Sequence, residues 1–102
     1  MLLFISPDRA QKKIKENTRA RRLQLELTQE GLAVRSGVPL PTIRLFEQKG
    51  TISLTSFLKI QTVLGGLEDI LNATQIPENH FSSIDEVLKA ENKPLRKRGI
   101  RK

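Results

Sequence analysis

Arg44 and Gln48 lie in one short stretch, TIRLFEQK, and their side chains have shapes that match base edges. An arginine fork meets O6 and N7 of guanine, and a glutamine amide meets N6 and N7 of adenine. Thr42 in the same stretch offers a third polar contact or a first-turn cap, and Lys49 closes it with a charge suited to a phosphate. Gln29, Arg19 and Arg35, further upstream, suit phosphate contacts more than base contacts. Covalent chemistry has little support. The chain has one histidine, His80, and no cysteine. It shows no metal-ligand set, no nucleophile beside a base and no phosphate-cradling glycine loop. Gly65-Gly66 breaks a helix. Neither catalysis, a metal nor a cofactor is expected.

The charge balance agrees with a polyanionic partner. Eighteen Lys and Arg against eleven Asp and Glu give 102 residues a formal net charge of +7 and a pI near 10.3. Such a balance suits nucleic acid or an anionic surface. The signs are segregated: residues 1–60 carry a net +6, residues 61–92 a net −5, and the last ten a net +6. Two basic ends around an acidic middle imply at least two working surfaces. The start, MLLFISPD, has too short an apolar run and no basic leader for a signal peptide, and no stretch approaches a membrane span. The expected location is cytoplasmic, in association with the nucleoid. One domain of this length has a thin core, so association with a second chain would be useful.

The elements that must carry these side chains are helical. Ser6-Pro7-Asp8 supplies a capping hydroxyl, a first-turn proline and an acid at the positive end of the dipole, which starts a helix running to about Leu25. Its apolar side (Ala10, Ile14, Leu25) is weak, and its lysines, including Lys12, Lys13 and Lys15, are expected to be solvated. Thr28 caps a second helix to about Ser36, with Leu32 and Ala33 inward, and Gly37 stops it. A third runs from about Leu40 to Gln48. Ser53 opens a fourth, in which Leu54, Phe57, Leu58 and Leu64 recur at helical spacing. Leu67 to Asn72 makes a short fifth, and residues 73–82 read as loop. A capping box at Ser83–Glu86 starts a last short helix, and LRKRGIRK is a basic tail. The expected fold is all-α, with a domain over 1–72, an acidic loop and helix over 73–92 and the tail over 93–102. The opening LLFI either adds a strand at a subunit interface or covers the core.

The second and third helices are joined by a tight glycine turn. Counting from Gln29, Ala33 is fifth, Gly37 ninth, Val38 tenth, Ile43 fifteenth and Phe46 eighteenth. A small residue permits close approach, glycine permits the reversal, and the three apolar residues fill the wedge. That spacing fits a helix-turn-helix unit, whose second helix is presented to a major groove; the alternative is an ordinary corner between two helices. Pro39 and Pro41 fall where backbone N–H groups lack intrahelical partners, so they forfeit no helical bond. They do remove donors that often hold a phosphate.

The run ARRLQLELTQEGLAVRSGVPLPTIRLFEQKGTISLTSFLKIQTVLG resembles the Xre/Cro-like (lambda-repressor-like) regulators through Arg22, LTQ…LA, SGV, TI, Glu47 and a fourth helix after Gly50. The resemblance spans about residues 14–72 and implies a five-helix helix-turn-helix domain that binds double-stranded DNA as a homodimer on an inverted repeat. It further implies an internal ion pair between Arg22 and Glu47. FEQKG-ISL, Leu64-Gly65 and the RKR of the tail resemble HipB-type components, which implies a HipA-type kinase toxin or its accessory protein as partner and repression of a toxin–antitoxin operon. Two departures stand out. Gly31 replaces a usual Glu, leaving half a capping box, and Leu45 replaces an Arg found in many members. Either Arg44 takes over that contact or Leu45 meets a thymine methyl. Arg96, Lys97, Arg98, Arg101 and Lys102 either line phosphates or a minor groove, or stay disordered in the free protein. A stand-alone repressor and a protein-binding adaptor on the same fold are the other readings.

Overall fold

The computed structural model describes residues 5–77. Among them the chain is all-helical: α1 (Pro7–Gln24), α2 (Gln29–Ser36), α3 (Leu40–Lys49), α4 (Leu54–Leu64) and α5 (Leu67–Thr74). The starts follow local chemistry. The hydroxyls of Ser6, Thr28 and Ser53 each accept a first-turn N–H, from Arg9, Gly31 and Ser56. α2 stops at Gly37, whose φ of 76° is open to glycine at little cost. α1 stops differently. Glu26 takes a left-handed φ of 58° with no glycine to ease it, and Leu27 N–H donates back to the Arg22 carbonyl at 3.1 Å.

The core is a small wedge. Leu32 of α2, Val38 of the turn, Ile43 of α3, and Ile60 and Leu64 of α4 are buried together, with Leu27, Ala33, Ile52 and Val63 packed around them. Phe46 is buried beside them and meets Phe57 edge-on, with ring centroids 5.8 Å apart. Burying each large apolar side chain contributes about 1.5–3 kcal/mol. The wedge therefore fixes α3 against α2 and α4 by way of Ile43, and Phe46 adds its own contact with Phe57 of α4.

α1 is attached in another way. Ile14 and Leu25, expected on its packed side, are 44% and 52% exposed, and the helix buries Thr18 and Arg22 instead. With so little apolar surface, polar groups hold it. Gln11 Nε2 donates to the Gly50 carbonyl at 2.7 Å, and Gln61 Nε2 to Thr18 Oγ1 at 3.2 Å. Lys15, expected to be solvated, donates to the Gln48 carbonyl at 3.2 Å, setting a positive charge on the negative end of α3. Lys12 and Lys13 are exposed.

Two further expectations are corrected. Leu54 is 71% exposed, and Ile60 and Gln61 occupy the inner face of α4 beside Leu64. Leu54 belongs to the rim of an open apolar groove lined also by Ile14, Phe46 and Phe57. α5 continues to Thr74, two residues beyond Asn72, so the connecting segment starts later than position 73. The short helix from Ser83, the Leu2–Phe4 part of LLFI and the tail lie outside the described residues.

At the α4–α5 junction Gly66 is crowded. A Cβ on Gly66 would collide with Oε1 of the buried Gln61 and approach Arg21 Nη1 to 3.0 Å. Gly66→Ala is expected to displace the Gln61 amide from Thr18 and to cost about 1–3 kcal/mol, read by urea unfolding.

Candidate nucleic-acid interface

The helical turn angle divides α3 into two faces. Ile43 points into the wedge, Phe46 is buried beside it against Phe57, and Glu47 lies on the flank toward α1 and α2. Pro41, Arg44, Leu45, Gln48 and Lys49 are exposed. Leu45, 47% exposed, shares that outer surface with Arg44 and Gln48. Pro39 caps the helix without a side-chain hydrogen bond, and the Thr42 and Ile43 N–H groups both donate to the Pro39 carbonyl. The Thr42 hydroxyl makes no capping bond, and the residue is half-buried. With Pro39 and Pro41 lacking N–H groups, the start of α3 has few free donors for an anion. Side chains must supply them.

Glu47 is the hub beneath this face. Its oxygens accept from Arg22 Nε at 2.7 Å and Nη2 at 2.9 Å, a two-bond fork between groups that are 7% and 6% exposed. Arg22 Nη1 donates to the Leu27 carbonyl at 2.8 Å, so its planar donor set is well used. Gln29 Nε2 donates to Glu47 Oε1 at 3.2 Å, and Arg19 Nε lies 3.8 Å from the same oxygen with its side chain 59% exposed. One carboxylate thus gathers residues from α1, α2 and α3. It leaves no free negative charge of its own on the outer face.

Several of the anticipated contact residues therefore converge. Arg19 and Gln29 flank Glu47, Arg44 lies one turn earlier on α3, and Gln48 and Lys49 follow directly. Gln29 spends one of its two amide N–H donors on Glu47, and the other is left for a phosphate. Its carbonyl oxygen is an acceptor, which a phosphate cannot use. Arg35 is exposed in the last turn of α2, at the opposite end of that helix from Gln29, and no contact draws it toward α3. Arg96 and Arg98 lie outside the described residues.

One participant was invisible to sequence reasoning. Glu30, in the first turn of α2, accepts from Arg44 Nη2 at 3.3 Å. Fourteen residues separate the two, so no helical repeat announces the pair. The contacts of Gln11 and Lys15 to the end of α3 were hidden for the same reason.

No family model, curated protein or solved structure matches the chain. No helix among the described residues is long and apolar enough to cross a membrane.

Removing one partner of a buried, hydrogen-bonded ion pair strands the other charge, at a cost of about 3–5 kcal/mol. Arg22→Ala is expected to lose that much stability in urea unfolding. Arg44→Ala, which breaks only an exposed pair, is expected to stay within about 1 kcal/mol of the parent.

Proposed function

We propose that the protein is a sequence-specific DNA-binding repressor with a helix-turn-helix domain of the Xre/Cro-like type, in which α3 is the recognition helix. The observation that carries this reading is the outward face of α3. Among the described residues nothing covers it; it exposes Arg44, Leu45 and Gln48 side by side, and turns its only carboxylate, Glu47, inward onto Arg22. Arg44 and Gln48 provide bidentate hydrogen bonding to purine edges, and Leu45 provides an apolar contact for a thymine methyl. Arg19 and Lys49 flank that face with charges for the phosphates, which fix register without reading sequence.

A single short helix reads only a few base pairs. A homodimer on an inverted repeat doubles that, with half-site centres about 34 Å apart. The HipB-like features of the sequence extend the proposal to a toxin–antitoxin operon whose transcription the protein represses, with a HipA-type kinase as partner. An adjacent reading frame without kinase character would favour a stand-alone repressor.

A mobility shift with the duplex upstream of the protein's own gene tests the assignment. Binding is expected to be selective over random DNA and to weaken steeply with salt. The Arg44→Ala/Gln48→Ala double variant, with its fold intact, is expected to lose roughly 10–100-fold or more of the specific affinity. Full retained affinity would remove α3 from base reading, and the absence of DNA binding by the parent chain would favour a protein-binding adaptor. Deleting residues 93–102 is expected to weaken binding to all sequences alike and to flatten the salt dependence; an unchanged slope would mean that the tail does not touch phosphates.

A further inference from the structure

Glu30 is out of place on a surface meant for a polyanion. Its side chain is 61% exposed, next to the 53% exposed Arg44, at the edge of the face assigned to the duplex. A carboxylate there repels phosphates and lowers sequence-independent affinity. Nor does its ion pair hold the fold, because pairs this exposed contribute little to stability. Its position is nonetheless supported: it lies in the first turn of α2, where the positive end of the helix dipole favours an acid.

Glu30 does bond one guanidinium, that of Arg44. Arginine has five N–H donors in a planar fork. Glu30 takes one of them at Nη2, which leaves enough for the two parallel bonds that guanine O6 and N7 accept. A free exposed arginine would instead swing to the nearest phosphate, a contact that carries no sequence information. Arg19 and Lys49 are already available for that task.

We propose that Glu30 is a specificity-determining partner of Arg44: it holds the guanidinium away from the phosphates and toward a base, so that each half-site carries a guanine opposite Arg44. The inference rests on the DNA-binding reading above and names the base which that reading leaves open. Glu30 touches no base itself; it is a positioning residue.

Selection from a random duplex library with the full-length parent, Glu30→Gln and Arg44→Ala tests it. The parent is expected to enrich guanine at one position of each half-site, and Arg44→Ala to lose that preference. Glu30→Gln keeps the size of the side chain and removes its charge. It is expected to bind unselected duplex more tightly than the parent and to discriminate guanine from adenine at that position about tenfold less, with other positions unchanged. Undiminished discrimination by Glu30→Gln, a loss spread evenly over all positions, or a base other than guanine at the Arg44-dependent position would each overturn the proposal. A parent chain that selects no sequence at all would instead overturn the DNA-binding reading on which it stands.

Discussion

The buried carboxylate of Glu47 is the constraint on which the arrangement of this chain depends. It lies near the end of α3 and is neutralised by a two-bond fork from Arg22 of α1, with Gln29 of α2 as a further donor. Once Glu47 is held at that flank, the pitch of α3 leaves no freedom for the residues around it. Ile43 and Phe46 must turn inward, and Arg44, Leu45 and Gln48 must face out. The same pair therefore fixes three helices and sets which side of the third is available.

Such a pair is a costly way to gain stability. Desolvating two charges offsets much of their attraction, and apolar residues of similar volume often serve as well. Its value here is directional. A Leu–Leu contact would tolerate small rotations of α3, whereas the planar fork with its additional bond to the Leu27 carbonyl accepts little variation. Two further polar attachments of α1 meet the same end of α3: Gln11 on the Gly50 carbonyl and Lys15 on the Gln48 carbonyl. A thin apolar wedge supplies cohesion, and a set of directed hydrogen bonds supplies orientation.

The helices were largely legible in the sequence because their signals are local. A Ser or Thr hydroxyl reaches an N–H three residues on, and Gly37 and Gly50 mark their own stops, so the bounds of α2, α3 and α4 follow from short windows. α5 ran past its expected end because Ala73 and Thr74 carry no stop signal of their own. Ile14 and Leu54 fit the apolar spacing of their helices yet are exposed, because periodicity reports amphipathicity, and not whether another element arrives to cover it. The pairing of Arg22 with Glu47 was anticipated only through a resemblance, since nothing in the twenty-four intervening residues encodes it. Glu30 was missed outright: its partner is brought near by the turn between α2 and α3, and the carboxylate looked like ordinary first-turn chemistry.

As the proposed recognition element, α3 would dock by the surface that the Glu47 hub leaves outward, and the groove bordered by Ile14 and Leu54 would remain out of contact with the duplex. Amide shift mapping by NMR of the labelled full-length chain, titrated with the duplex upstream of its gene, tests this most directly. The expected result is that the largest changes fall on residues 40–49 and 28–30, while the amides of Leu67–Thr74 stay nearly still. Changes confined to α5 and the groove, with α3 silent, would contradict it.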